Sequence, residues 1–336
     1  MNADSNKEWI VADIGGTHAR FNRWSASNGL SGDPATRYRN DDFHDLAALI
    51  NRYRHDAAPH LVHAMLALAL PIGPDEMRMT NRNWAFTAQG LRADAGLAHL
   101  CLLNDFVAAA AGIGALSASE SIQIGGQPNN SAGPVVVLGP GTGLGTAVIL
   151  NDGPEPRVMS TEAGHMGAAP SGDDARQVFE LSRLRHGRVS WERLLCGDGL
   201  ALFDAVARGA DEAAEPADVA ARARADDPAA RRAASGFAHA LGEFAGDLCL
   251  AFNATGGMYL TGGVLDGLGP AFDAAALREG FEHKGRFRTQ LRAVPCFRVY
   301  ADDLALRGLA RLLEARVRAP VLEAKANNNE IATVES

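Results

Sequence analysis

The sequence predicts an α/β protein with two lobes, and three observations support this prediction. The chain has 336 residues, roughly twice the length of a typical domain, so it forms either two domains or one large α/β unit with two lobes. Short β-branched runs that end in a glycine turn occur twice, near residues 14 and 138. Residues 237–252 show the apolar spacing of a long amphipathic helix. The repeated strand and turn favour two related lobes over one sheet.

The first strand-turn-strand unit is WIVADIGGTHARF. Residues 9–14 are typical of a strand, Gly15, Gly16 and Thr17 of a turn, and the alternating apolar residues after them of a second strand. The second unit covers residues 134–150, where GPGTGLG separates the runs VVVL and TAVIL. A hairpin turn needs glycine for positive φ whatever the protein does, so each turn alone is weak support for a function.

Between these units the sequence predicts a helix at residues 43–54, a strand in AMLALALPI, an irregular segment MTNRNWAF and a strand that ends at Asn104. A helix then starts at Phe106. Asn104 and Asp105 interrupt an apolar run, and a bare buried carboxylate is costly unless it is paired or hydrogen-bonded. The pair therefore has a structural role, with Asp105 as helix N-cap, or a chemical one.

Helices dominate the second half of the chain. One is predicted at residues 189–195 with Ser190 as its N-cap, and Pro216 and Pro228 mark two further helix starts. The amphipathic helix leads into a short strand closed by Gly262 and Gly263. The last predicted element is a helix at residues 304–317 that packs back on the first lobe.

Composition excludes several classes of protein. With 47% hydrophobic and 21% charged residues, the chain is an ordinary globular protein, except for a polar tail from Glu323 that we expect to be poorly ordered. A net charge of −8 without clustered Lys or Arg argues against a nucleic acid partner. The sequence has no signal-like or membrane-spanning run, so we expect a soluble, cytoplasmic protein. The four cysteines form no C-x-x-C pair and are expected to be buried free thiols.

The glycine turns have the features of a site that binds phosphate groups. Three such turns, one of them preceded by Asp13 and two containing threonine, place backbone N–H groups at strand ends, where anions bind. The dinucleotide fingerprint fails in both frames of the second turn, and no P-loop G-K-[ST] occurs in the sequence. Phosphates are therefore expected to be held by backbone amides, hydroxyls and a metal.

Three further side chains have alternative explanations. Glu162 and His165 lie in the glycine-containing segment TEAGH, and Glu192 lies in the first turn of a predicted helix. A single histidine is more often structural than a ligand. An acid at a helix start stabilises the positive end of the helix by roughly a few tenths of a kcal/mol. The hydrolase motifs G-x-S-x-G and H-E-x-x-H do not occur.

Taken in order, ADIGGTHARF, LLNDF, LGPGTGLGTAVIL, TEAGH, RVSWERLLCGDGL and LTGGVL resemble the bacterial glucokinases of the actin/Hsp70/sugar-kinase superfamily. The resemblance runs from about residue 9 to about residue 313. It implies a two-lobed ribonuclease H-like (actin-like ATPase) fold with a cleft for glucose and ATP. The small α/β domain would span residues 1–115 plus 306–336, and the large α+β domain residues 116–305.

The resemblance also implies the site residues and the reaction, which is phosphorylation of glucose by ATP at its 6-hydroxyl. Asp105 would be the general base. The residues implied for glucose are Asn104, Asp105, Glu162, His165 and Glu192. Those implied for the nucleotide are Asp13, Gly15, Gly16, Thr17, Gly141, Thr142, Gly143, Gly262 and Gly263. Mg²⁺ is expected to bridge the phosphates, with Asp13 as its neighbour through water. The family also implies a homodimer.

Four positions depart from the usual family pattern: His18, Pro140, Ala163 and Asp198. The sequence has neither the zinc-binding cysteine cluster nor the N-terminal helix-turn-helix of related repressors. This favours a glucokinase over a sugar-sensing regulator. A kinase for another hexose or amino sugar, such as mannose, fructose or N-acetylglucosamine, remains an alternative.

Overall fold

The structure is a computed structural model that describes residues 8–79, 82–128, 132–151, 156–318 and 332–335. The chain folds into two compact units. Unit 1 contains residues 1–116 and 302–336, and unit 2 contains residues 117–301. Unit 1 is therefore discontinuous in sequence, because unit 2 is inserted between its two parts.

The elements follow one another in three stretches of chain. Unit 1 begins with β1 (Glu8–Ile14), β2 (His18–Ser25), β3 (Gly29–Leu30), β4 (Thr36–Arg39), α1 (Leu46–Ala57), β5 (His63–Leu68), β6 (Met77–Arg78), β7 (Ala85–Phe86), α2 (Ala88–Asp94), β8 (His99–Asn104) and α3 (Asp105–Gly112). Unit 2 contains β9 (Ser121–Gly125), β10 (Val135–Pro140), β11 (Leu144–Leu150), β12 (Arg157–Thr161), α4 (Asp173–His186), α5 (Trp191–Leu194), α6 (Gly197–Arg208), α7 (Pro216–Arg224), α8 (Pro228–Ala251), β13 (Gly257–Leu260), α9 (Gly263–Leu268), α10 (Ala274–Glu282), α11 (Arg288–Ala293) and β14 (Cys296–Val299). The chain returns to unit 1 with α12 (Leu304–Arg318) and β15 (Ala332–Glu335).

The sheet of unit 1 has the strand order β15-β8-β5-β1-β2-β3, and β4 also pairs with β2. β2 runs antiparallel to β1, which confirms the first predicted strand-turn-strand unit. β1, β5 and β8 are parallel, so their carboxyl ends meet at one edge, where Ile14 lies beside Leu68 and Leu68 beside Asn104. This edge carries the polar residues that follow β1 and β8.

Helices α3 and α12 pack closely on each other in unit 1. Gly112 and Gly308 lie at the point of closest approach, because a Cβ on either residue would overlap a backbone carbonyl of the other helix. α12 also contacts β1 and β5. The predicted packing of the last helix on the first lobe is therefore confirmed.

The sheet of unit 2 has the order β12-β11-β10-β13-β14-β9. β10 and β11 form the second predicted hairpin, and β13 joins β10 in parallel. The predicted amphipathic helix is confirmed as the second half of α8, except that Phe252 caps the helix; Phe237, Leu241 and Phe244 are fully buried. Pro216 and Pro228 are the first residues of α7 and α8, as predicted.

Three predictions of secondary structure are wrong. α1 begins at Leu46 rather than at residue 43, because the Asp45 side chain accepts a hydrogen bond from Ala48 N at 2.7 Å and caps the helix there. The segment predicted to be irregular, residues 79–86, contains β7, which pairs with β6; residues 80 and 81 lie outside the described residues. Residues 332–335 of the predicted disordered tail form β15 on the edge of β8, where backbone hydrogen bonds outweigh a polar composition. The rest of the tail from Glu323 lies outside the described residues.

None of the helices in the described part of the chain combines the length and the apolar composition that a membrane span requires. All four cysteines are buried, as the sequence predicts.

Candidate functional site

Asn104 and Asp105 lie where β8 ends and α3 begins. Leu102 and Leu103 before them are fully buried, whereas Asn104 and Asp105 are half-buried at the sheet edge. Asn104 Nδ2 donates to Leu70 O at 3.3 Å and so ties the end of β8 to the loop after β5. The carboxyl edge of parallel strands is where α/β proteins commonly bind ligands.

The helix cap predicted for Asp105 is supplied by Asn104. Asn104 has extended backbone, and its Oδ1 accepts the Phe106 N–H at 2.9 Å, whereas Asp105 is the first helical residue. Asp105 Oδ1 accepts the same N–H at 2.9 Å. A carboxylate at this position lies at the positive end of the helix dipole. The prediction was wrong by one residue, because the short amide of Asn104 at the strand end already supplies the cap.

Asp13 lies near the end of β1. Its Oδ2 is 3.8 Å from Nη1 of Arg20, the residue that pairs with it on β2. Burial raises the pKa of Asp13, and the positive charge of Arg20 opposes that shift. Among the described residues, no group of three or more His, Cys, Asp or Glu side chains is placed to hold a metal ion. A single half-buried carboxylate such as Asp13 is the kind of group that contacts a hydrated Mg²⁺ through water.

The first glycine turn is closed by a hydrogen bond from Gly15 N to His18 O at 3.0 Å. Its backbone oxygens accept further hydrogen bonds from Asn40 and Arg82. Sequence reasoning missed both residues. The sequence offered one signal for Arg82, which is the tryptophan that follows it in the polar segment MTNRNWAF. In the structure this residue, Trp84, is buried.

Glu162, His165 and Glu192 come together in unit 2. His165 Nε2 is 3.8 Å from Glu162 Oε2, and His165 Nδ1 is 3.7 Å from Glu192 Oε1. The side chains of Glu162 and His165 are 57% exposed, and that of Glu192 is 28% exposed. An imidazole between two carboxylates offers several donors and acceptors in a small volume, which suits a ligand with many hydroxyl groups.

One of these three side chains and the backbone of a second are fixed by hydrogen bonds. Glu192 Oε2 accepts the Leu144 N–H at 3.0 Å and joins α5 to the second glycine turn. Gly143 makes room for this carboxylate, because a Cβ there would lie 2.6 Å from Glu192 Oε2. Arg188 Nη2 donates to His165 O at 2.7 Å. Glu192 lies in the first turn of α5, where an acid stabilises the helix. Its hydrogen bond to the glycine turn is a second reason for its position.

A cavity of about 410 Å³ lies beside the second and third glycine turns in unit 2. It brings together Gly141, Thr142 and Gly263 from the predicted nucleotide loops. The other lining residues come from α6, α7 and α9: Gly197, Asp198, Leu200, Pro216, Ala217, Ala220, Val264 and Gly267. The volume is in the usual range for a small-molecule site. Sequence reasoning missed most of this lining because small and apolar residues carry no chemical signal of their own.

Gly262 joins the third turn to the second. Its φ is +110°, and a Cβ there would lie 2.6 Å from Pro140 O. The two turns are therefore in contact. The positive-φ glycines of the described chain do not include Gly15, Gly141 or Gly143, so the expected reason for glycine is wrong at those positions. At Gly143 the reason for glycine is the space that the Glu192 carboxylate needs.

Comparison with known proteins gives consistent matches. The family described as Glucokinase matches residues 10–316. A glucokinase from Aromatoleum aromaticum is 39% identical over 317 residues, which cover 91% of this chain and 94% of that protein. The crystal structure of a glucokinase from an Antarctic psychrotroph is 28% identical and has a TM-score of 0.77, with 92% of this chain and 99% of that chain covered. A ROK family glucokinase from Streptomyces griseus, solved in complex with glucose and AMPPNP, has a similar fold at 17% identity, with a TM-score of 0.61 and coverage of 91% and 98%.

Proposed function

The chain belongs to the glucokinase family, and we propose that it transfers the γ-phosphoryl group of ATP to the 6-hydroxyl of glucose. The products are glucose 6-phosphate and ADP, so the reaction is the entry step of glycolysis. The observation that carries this proposal is the cluster of Glu162, His165 and Glu192, held against the glycine turn at Gly143.

The proposal includes the finer fold assignment. The two units, divided near residues 116 and 302, are the small and large domains of a ribonuclease H-like (actin-like ATPase) fold. The two sheets support this, because each contains an antiparallel hairpin followed by two parallel strands, β2-β1-β5-β8 in unit 1 and β11-β10-β13-β14 in unit 2. A repeated sheet also explains why the glycine turn recurs in the sequence.

Asp105 is the general base in this proposal. A sugar hydroxyl is a weak nucleophile at neutral pH, and a positioned carboxylate that accepts its proton typically accelerates transfer about a hundredfold to ten-thousandfold. Phosphoryl transfer depends mainly on positioning and electrostatics. The position of Asp105 is set by the end of β8 and by its bond to Phe106 N, so its carboxylate has little freedom to turn away.

Asn104, Glu162, His165 and Glu192 bind the remaining hydroxyl groups of glucose. A site that pairs each hydroxyl with a polar group rejects an analogue that lacks one, since the protein group is left unpaired. Asn104 is held by Leu70 O and Glu192 by Leu144 N. Their directions are thus set before the sugar arrives, which reduces the entropy cost of binding.

ATP binds in this proposal to the three glycine turns. The cavity beside Gly141, Thr142 and Gly263 takes part of the nucleotide, and backbone amides of residues 15–17 bind phosphate oxygens. Asp13 would hold Mg²⁺ through water, and the ion would supply positive charge against the phosphates. Cytoplasmic localisation and a homodimer stay predictions.

The substitution Asp105→Asn tests the base assignment. We expect glucose binding, measured by calorimetry, to be retained while the rate of phosphorylation in a coupled assay falls about a hundredfold or more. The matched control is Asp94→Asn, which removes one charge from an exposed position of unit 1 and should leave both quantities unchanged. Turnover retained by Asp105→Asn would show that another group accepts the proton.

A sugar panel tests the substrate. Glucose, mannose, fructose, glucosamine and N-acetylglucosamine are compared with ATP as donor, and kcat/KM is measured for each. We expect the highest kcat/KM for glucose. A higher value for an amino sugar or for mannose would replace glucose in the proposal and leave the reaction type unchanged.

A further inference from the structure

We propose that Arg82 is a positioning residue for the phosphate-binding turn Gly15-Gly16-Thr17, and that it orients the amides of this turn toward the phosphates of ATP. The inference rests on the proposed function, because it assumes that ATP is the ligand of the turn. Arg82 lies in the segment MTNRNWAF, to which the proposed function assigns no role.

The backbone oxygens of the turn are all held from within unit 1. Gly15 O accepts from Asn40 Nδ2 at 2.8 Å, and Thr17 O accepts from Asn40 N at 2.9 Å. Gly16 O, between them, accepts from Arg82 Nε at 2.9 Å. Asn40 is fully buried, so it forms a fixed support on one side, and Arg82 supplies the central contact.

Holding these oxygens determines where the amide hydrogens point. A trans peptide is planar, and its N–H points opposite to its C=O; the described residues contain no cis peptide. With Gly15 O bound to Asn40 and Gly16 O bound to Arg82, the Gly16 N–H points away from Asn40 and the Thr17 N–H points away from Arg82. Successive N–H groups on one side of a turn form an anion-binding concavity.

Arg82 is itself fixed by two further contacts. Its Nη2 donates to Asp41 Oδ1 at 2.8 Å, and its guanidinium lies 5.1 Å from the ring centre of Trp84. The Arg82 side chain is 13% exposed, and Trp84 is buried. Cation–π contact and a charge-assisted hydrogen bond therefore hold the guanidinium in the orientation that Gly16 O requires.

The geometry needs an arginine and not only a positive charge. The planar guanidinium donates from Nε to Gly16 O and from Nη2 to Asp41 at the same time. A lysine ammonium is a single point of charge on a flexible stem, so it can replace one of these contacts but does not reproduce the fork. The two substitutions Arg82→Lys and Arg82→Met therefore separate geometry from charge.

The experiment measures ATP binding by calorimetry on the intact protein with magnesium present and sugar absent. We expect Arg82→Met to raise the Kd for ATP about tenfold or more, since it removes two hydrogen bonds of a charged group. Arg82→Lys should give a smaller increase. The Kd for glucose should stay within about twofold of the unsubstituted value in both variants, and steady-state kinetics should show the same split between the KM values for ATP and glucose.

Two further variants serve as controls. Arg78→Met removes the same charge from an exposed arginine that pairs with Glu76, and it should leave ATP binding unchanged. Asp41→Asn weakens the second contact of Arg82 at an exposed surface position. It therefore tests the proposal without removing a buried side chain. It should weaken ATP binding in the same direction as Arg82→Lys.

Three results would overturn the proposal. They are an ATP Kd for Arg82→Met within about twofold of the unsubstituted value, an equal loss in Arg78→Met, or a glucose Kd that rises in step with the ATP Kd. The binding measurement does not need turnover. A protein that binds ATP but fails to phosphorylate glucose would therefore refute the proposed function and leave the role of Arg82 standing.

Discussion

At the scale of single residues, the contact between Gly143 and Glu192 shows how the site depends on a missing side chain. The sequence predicts glycine here for positive φ, but the structure gives another reason. A Cβ on residue 143 would lie 2.6 Å from Glu192 Oε2, the same oxygen that accepts the Leu144 N–H. The clash involves the far end of a flexible side chain. The Glu192 carboxylate can therefore move aside without disturbing the fold, but it loses its present position.

Gly143→Ala should therefore damage sugar binding more than stability. We expect the KM for glucose to rise about tenfold, because the hydrogen bond that fixes Glu192 is lost, while the Tm changes little. Steady-state kinetics and thermal unfolding measure the two quantities. Gly32→Ala is the matched control, because a Cβ there meets no atom within 4 Å. Equal KM values for the two variants would mean that Glu192 does not contact the sugar.

At the scale of elements, local signals were sufficient for some predictions and insufficient for others. Both hairpins and the starts of α7 and α8 were predictable because the turn or the proline lies inside the element itself. β15 was not, since its order depends on pairing with β8, far away in sequence. The N-cap of α3 is Asn104 for a similar reason, because the position at which β8 ends determines which residue precedes the helix.

Because α12 packs closely on α3, we expect a glycine-to-alanine substitution there to change the free energy of unfolding in the direction opposite to that expected from helix propensity. Glycine to alanine in a helix normally stabilises by about 0.5–1 kcal/mol. At Gly308 the new Cβ would overlap the backbone oxygen of Ala108 in α3, and backbone cannot move aside as a side chain can. We expect Gly308→Ala to lower the free energy of unfolding by about 1–3 kcal/mol, the usual cost of overpacking.

Urea unfolding followed by circular dichroism measures this change. The matched control is Gly267→Ala in α9, where the Cβ would make an ordinary 3.6 Å contact with Ala220 and should not destabilise the protein. A stabilised Gly308→Ala variant would contradict the close approach of α3 and α12. Because α3 begins at Asp105, a shifted α3 should also lower kcat.

At the scale of the whole molecule, the proposed site residues fall into both units. Asn104 and Asp105 belong to unit 1, whereas Glu162, His165 and Glu192 belong to unit 2. No single stretch of sequence contains this set, and only the resemblance to a known family connected its members in advance. Sequence periodicity predicted strands and helices but gave no signal for the buried support under the turns, such as Asn40, whose role depends on unit 1 being folded.

Buried proton donors in both units make stability fall in alkaline solution. Burial raises the pKa of Tyr53 in unit 1 to about 12 and the pKa of Cys296 in unit 2 to about 11. In the unfolded chain these groups lose their protons near their ordinary pKa values of 10.0 and 9.0, whereas the folded protein retains them. The unfolded state then binds fewer protons, so folding stability decreases as pH rises. The contribution is fully present below the unfolded pKa of each group and is lost as the pH approaches the folded value.

The pH dependence can be assigned to one residue. Urea unfolding between about pH 8 and pH 10.5 should show a falling free energy of unfolding, with each fully retained proton contributing up to about 1.4 kcal/mol per pH unit. Tyr53→Phe removes one such proton and should make the decline shallower above about pH 10. Tyr300→Phe is the control, because Tyr300 is 48% exposed. If Tyr53→Phe gave the same slope as the unsubstituted protein, the hydroxyl of Tyr53 would have to ionise as readily in the folded state as in the unfolded one. The alkaline loss would then have to come from other groups whose pKa is raised by burial, such as Cys296 and Tyr259.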